Sequence, residues 1–215
     1  RGLWLGQSHG SAGVLQELLE VPELLANTTA ASAIKRTLDA TCDAQLASGN
    51  FPTEYYNATQ DELVQWDHGA PGVSAALLRA HVAFAGDGGD GATRYKRAAI
   101  RALEVTWRRG LLLKGLMTCH GIGGNTWMQL YAGQLLGGDS TPEGRRYLYR
   151  ALRFQTTVVT TPLLSDLTRM RRPQPGPEAP WSFWTGSIES ALLLWTELLH
   201  RGAANATLPG WQPRL

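Results

Sequence analysis

His68-Gly69-Ala70-Pro71-Gly72, running straight into Val73-Ser74-Ala75-Ala76-Leu77-Leu78, reads as a glycine-rich turn that feeds an apolar helix. A chain that reverses so tightly needs glycine where φ turns positive or where another backbone lies close. The pattern recurs. His9-Gly10-Ser11-Ala12-Gly13 precedes an apolar-periodic run at 14–19, and His120-Gly121-Ile122-Gly123-Gly124 precedes another at 125–131. A weaker copy, Thr185-Gly186-Ser187-Ile188-Glu189, runs into 191–195. The turn glycines at 10, 69, 121 and 186 stand 59, 52 and 65 residues apart, a period that fits one helical hairpin per repeat.

The second helix of each hairpin falls between the turns. Residues 31–47 carry Ile34, Leu38, Cys42 and Leu46 at helical spacing; 94–113 carry Ala98, Leu103 and Trp107; 143–159 carry Leu148 and Leu152. Charged residues fill the other side of each, so these helices are expected to face solvent, and the turn-fed helices, apolar all round, to sit inside. The β-branched stretch at 155–161 reads as a frayed helix end, because no partner strand is visible. Residues 173–180, rich in proline, read as a loop. The glycine–aspartate run at 86–91 reads as a flexible turn and not a calcium loop, since it lacks the downstream Glu. Hairpins in series stack or close, because one hairpin alone leaves an apolar face bare. Closure into an α/α barrel gathers the turns at one end. That makes His9, Asp67, His68, Cys119 and His120 candidate neighbours.

Composition narrows the function classes. In 215 residues, 43% are hydrophobic and 18% charged, which excludes a disordered, highly charged chain. A net charge of +2 is too balanced for a nucleic-acid footprint, so no nucleic-acid partner is expected. No apolar run reaches the ~18 residues of a bilayer span. Two cysteines, Cys42 and Cys119, exclude a multi-bridge disulfide scaffold. The chain opens on Arg1 with neither an initiator Met nor a signal-peptide pattern, and is read as a piece of a longer protein. The Asn-x-Thr triplets at 27, 57 and 205 are read as chance sequons.

Cys119-His120 is the sharpest chemical signal. A thiolate and an imidazole are standard zinc ligands, and the Asp67 carboxylate could supply a third, leaving a fourth position for water or a substrate thiol. The competing readings are a buried Cys acting as a small hydrophobe and a histidine with a purely structural role.

Together the motifs resemble the eukaryotic lanthionine synthetase C-like proteins, relatives of the bacterial cyclases that make lanthionine rings. Gly6-Gln7-Ser8-His9-Gly10-Ser11-Ala12-Gly13 is similar to the family's His-Gly-x-Ala-Gly turn. Gly49-Asn50-Phe51-Pro52 and Trp66-Asp67-His68-Gly69-Ala70-Pro71-Gly72 resemble its Trp-Cys-His-Gly-Ala-Pro-Gly segment, and Lys114-Gly115 leading into Cys119-His120-Gly121 its zinc motif. Pro180-Trp181-Ser182-Phe183-Trp184-Thr185-Gly186 echoes its closing repeat.

The resemblance implies an all-α fold, an α/α toroid of seven helical-hairpin repeats. Four turns make residues 1–215 its C-terminal portion, a partial ring in a single domain. It also implies one zinc ion, held by Asp67, Cys119 and His120, that lowers the pKa of the glutathione thiol. The thiolate then adds to dehydroalanine or dehydrobutyrine residues in proteins or peptides. His9 matches the family's acid/base histidine. Lys114 matches a lysine that pairs with a glutathione carboxylate, and either Arg171 or Arg172 matches an arginine that grips glutathione. A cytoplasmic location follows, with peripheral contact at the plasma membrane and signalling partners as further expectations.

Two positions depart from the family. Asp67 stands where the family has its first zinc cysteine, and Thr185 where it has an acidic residue. Carboxylate is a harder ligand than thiolate. Three functions therefore stand side by side. The first is a zinc-dependent glutathione transferase, and the second a glutathione- or partner-binding protein that has lost zinc chemistry through Asp67. The third is a sugar hydrolase with Asp67 and Glu189 as its carboxylates, which needs the two ~5–9.5 Å apart.

Overall fold

The computed structural model describes residues 3–112, 114–160, 182, 184–185, 197–198 and 200–206, without the side chains of 158 and 159. Among the described residues every regular element is helical, and the one strand-like feature is a bridge pairing Trp4 with Glu54. The chain divides into two compact units, Arg1–Arg108 and Arg109–Leu215.

The first unit holds α1 (Ser11–Leu18), α2 (Pro22–Ala26), α3 (Thr28–Asp43), α4 (Ala70–Ala83) and α5 (Gly91–Arg109, reaching the unit's edge). In α4 every residue from Ala70 to Ala80 is buried, as expected of an inner helix. α1 differs. Ala12 and Leu15 are buried but Val14 is 61% exposed, so α1 offers only one face, to α4 and α3. α3 starts at Thr28 because the Asn27 side chain accepts the Ala30 N–H at 3.0 Å, satisfying one of the helix's open donors. That occupies the first sequon asparagine as a helix cap. α3 ends at Asp43, short of Leu46. In α5, Tyr95, Ala98, Ala99, Ala102 and Leu103 are buried, while Arg97, Arg101 and Arg108 are exposed. Arg94 of α5 reaches Asp39 and Asp43 of α3, and Gln45 Nε2 donates to the Ala98 carbonyl at 2.8 Å.

The second unit pairs α6 (Ile122–Leu135) with α7 (Pro142–Thr160). All fourteen residues of α6 are buried. α7 buries Tyr147, Leu148, Ala151 and Phe154 and exposes Arg145, Arg146 and Arg153. It is helical to Thr160, so the β-branched stretch extends the helix as expected. Each wholly buried Leu or Phe in these faces contributes roughly 1.5–3 kcal/mol relative to exposure.

The three described turns share one packing device. A Cβ on Gly13 would lie 2.0 Å from the Gln7 carbonyl oxygen, on Gly72 2.1 Å from that of Trp66, and on Gly123 2.2 Å from that of Leu116. Each helix start is thus pressed onto the backbone six or seven residues upstream, and only a residue without Cβ fits. Gly69 adds a positive φ of 100°. The fully buried Asn50 braces this turn. Its Nδ2 donates to the Leu63 carbonyl and to Asp61 Oδ1, both at 3.0 Å, and its Oδ1 accepts the Ala70 N–H at 2.7 Å.

Candidate functional site

In the first unit, the residues before α1 and before α4 interlock. The Gln7 N–H donates to the Asp67 carbonyl at 2.9 Å, and Gly6 lies so close to that carbonyl that a Cβ would sit 1.7 Å from its oxygen. The bridge between Trp4 and Glu54, with the Leu5 N–H on the Thr53 carbonyl at 2.9 Å, holds the upstream side. This backbone register carries His9 onto Asp67, 58 positions away in sequence.

The Asp67 side chain is 1% exposed. Its oxygens face the Ser8 N–H at 3.3 Å, the Ser8 hydroxyl, His9 Nδ1 at 2.9 and 3.0 Å, and His68 Nε2 at 3.2 Å. A buried carboxylate is sustainable only with donors of this kind around it. Trp4 makes T-shaped contacts with His9 and His68, with centroids at 5.4 and 5.5 Å, and the two imidazoles stack at 5.9 Å. The His9 side chain is 55% exposed and opens on a cleft of about 1110 Å³ that Trp4, Arg36 and Tyr55 also line. One ligand atom from each of His9, Asp67 and His68 lies within 4.8 Å of the others.

In the second unit, Cys119 and His120 occupy the turn before α6. Gly121 N–H donates to the Met117 carbonyl and Ile122 N–H to that of Gly115, folding 115–122 back on itself. The Cys119 N–H donates to the Trp184 carbonyl at 2.8 Å. Cys119 is buried and is not disulfide-bonded, and its Sγ lies 3.4 Å from His120 Nε2. Tetrahedral zinc, with bonds of ~2.3 Å to sulfur and ~2.0 Å to nitrogen, sets those two atoms about 3.5 Å apart. The pair therefore fits two adjacent ligands of one ion. Lys114 is half-buried in the turn ahead of it.

Of the residues singled out from sequence, His9, Asp67 and His68 meet in the first unit, and Cys119 and His120 in the second. Arg171, Arg172, the 173–180 loop and Glu189 lie outside the described residues. Sequence reasoning missed Trp4, Gly6 and the Ser8 hydroxyl as parts of the His9 environment. Gly6 was the available signal, as a further glycine just ahead of a turn already rich in them.

Helical hairpins whose glycine turns precede the more buried helices define the α/α toroid class, and the chain matches that fold in nisin cyclase with a TM-score of 0.65 at 19% identity, covering 94% of this chain and 50% of that one. Residues 3–169 match the family model of lanthionine synthetase C-like proteins, and the chain belongs to that family. It is 31% identical over 153 residues to "Glutathione S-transferase LANCL1" of Danio rerio, across 70% of this chain and 34% of the relative. It is 28% identical over 211 residues to "LanC-like protein GCL1" of Arabidopsis thaliana, across 96% and 43%. The chain thus spans less than half the length of these two relatives.

Proposed function

We propose that the protein containing this chain is a zinc-dependent glutathione transferase that adds the thiol of glutathione to dehydroalanine or dehydrobutyrine residues in proteins. The observation that carries the reading is the Cys119–His120 pair, a buried sulfur and an imidazole nitrogen at the spacing one zinc ion imposes. The relative named a glutathione S-transferase supports the co-substrate. In this reading Asp67 is the third ligand, as the family resemblance implies, and a bound zinc supplies the means to hold the glutathione sulfur as a thiolate at neutral pH.

The remaining chemistry falls to the chain's own residues. Sulfur bonds to the β-carbon, the alkene electrons move towards the neighbouring carbonyl, and the α-carbon then needs a proton. His9, half-exposed on its cleft, delivers it. Lys114 pairs with one glutathione carboxylate, and Arg171 or Arg172 with another. The protein acts in the cytoplasm, with peripheral contact at the plasma membrane and with signalling partners. Among the described residues no helix is long and apolar enough to cross a membrane.

One observation favours a second reading. The Asp67 carboxylate already has Ser8, His9 and His68 on its oxygens and is a harder donor than thiolate, so the protein would bind glutathione or a partner without zinc chemistry. Family membership removes the ground for the sugar-hydrolase alternative. Elemental analysis of the full-length protein, followed by mass spectrometry of a dehydroalanine peptide incubated with it and glutathione, separates the two. The transferase gives bound zinc and an adduct heavier by one glutathione. Metal-free protein, or zinc-loaded protein with no adduct above the uncatalysed rate, leaves the binding reading.

A further inference from the structure

Every hydrogen-bond contact of His9 among the described residues runs through Nδ1: Asp67 Oδ1 at 2.9 Å, Asp67 Oδ2 at 3.0 Å and Ser8 Oγ at 2.8 Å. An ionised carboxylate only accepts hydrogen bonds. The Ser8 hydroxyl gives its own hydrogen to Asp67 Oδ1, so it too meets Nδ1 as an acceptor. Both neighbours therefore require the proton at Nδ1, and a neutral imidazole with Nδ1–H has a bare Nε2. Trp4, packed edge-to-face, and His68, stacked on the imidazole, hold the plane.

We propose that Asp67, assisted by Ser8, is the positioning residue of His9: it holds the imidazole as the Nδ1–H tautomer and leaves Nε2 as the atom that exchanges protons with substrate. The catalytic consequence rests on the transferase reading, whereas the tautomer does not. A bare Nε2 must take a proton before it gives one. In that reading His9 Nε2 takes the proton that the thiol gives up as its sulfur becomes the thiolate, and passes it to the α-carbon. The S–H bond breaks, the S–C bond forms, and the same proton ends on carbon, with no net release.

The test uses full-length protein labelled with 15N-histidine. Long-range proton–nitrogen spectra at a pH where His9 is neutral are expected to show Nδ1 bearing the proton and Nε2 bare. Asp67→Cys keeps a metal-ligating group but removes the acceptor. It is expected to retain zinc by elemental analysis, to lose the Nδ1–H tautomer, and to form thioether ten- to a hundredfold more slowly, the usual cost of losing an orienting partner. Asp67→Asn, nearly isosteric but without the ligating carboxylate, supplies the tautomer readout alone should the cysteine variant not fold. An Nε2–H tautomer in the unsubstituted protein overturns the proposal, as does a variant that keeps both tautomer and rate. Should the unsubstituted protein make no adduct, the transferase reading fails while the spectrum still decides the positioning role.

Discussion

Cys42 lies half-buried on α3, and burial pushes its thiol up to about 11, with Asp39 and Asp43 adding to the shift and Arg94 opposing it. At pH 8 that leaves about a hundredfold less thiolate than an ordinary cysteine carries, two pH units being a factor of a hundred. Iodoacetamide at pH 8 is therefore expected to modify Cys42 roughly a hundredfold more slowly in the folded protein than in urea, read by peptide mass spectrometry. Equal rates would mean the thiol is not held neutral. At the same scale, Cys119→Ser and His120→Ala should each release zinc from the full-length protein. Retention of metal by both variants would remove the thiolate–imidazole pair from the proposed site.

At the scale of elements, the turns do more than connect helices. The segment 63–72 is held by Asn50, by the left-handed backbone at Gly69 and by the close approach of Gly72 to the Trp66 carbonyl. Asn50→Ala leaves a buried N–H and a buried carbonyl without their bonds, at a cost of roughly 1–3 kcal/mol for each group so orphaned. Urea unfolding is expected to show a loss of at least ~2 kcal/mol, and a change within ~0.5 kcal/mol would mean the turn is not braced there. The helix periodicities were readable because each face repeats every 3.6 residues, as in the Tyr95, Ala98, Ala99, Ala102 stripe of α5. The ends were not. α3 begins at Thr28 because of one side-chain cap at Asn27, a local hydrogen bond that apolar spacing does not encode.

At the scale of the whole molecule, two raised groups share a consequence for stability. Cys42 moves from 9.0 to about 11, and Tyr95 rises well above its ordinary value through burial and the nearby Asp39 carboxylate. Both are held neutral in the folded state, so the unfolded chain gives up these protons first. Their contribution is fully present below pH 9 and is lost as pH rises through the folded values. Unfolding midpoints should accordingly fall from pH 9 to 11, and less steeply in Cys42→Ala. A parallel profile in that variant would exclude the thiol as a cause. Chelation supplies a second whole-molecule measurement. Zinc that binds only the folded state raises its Tm, so EDTA should lower the Tm and added zinc restore it. A Tm indifferent to both would count against a resident ion.

The sequence by itself determined the repeat, the helical class, the family and the cysteine–histidine pair, because these depend on residue identity at short spacing: a glycine where a helix start meets its own upstream chain, a thiol next to an imidazole. The partnership of His9 with Asp67 was decided only in the folded chain. It depends on Gly6 lying against the Asp67 carbonyl, on Trp4 bridging to Glu54 and on the Ser8 hydroxyl turning inward. Those contacts join residues some fifty to sixty positions apart, and no periodicity along the chain encodes which side-chain atom will face which. Where the proton sits on an imidazole is set by its nearest acceptor, and that acceptor is chosen by packing.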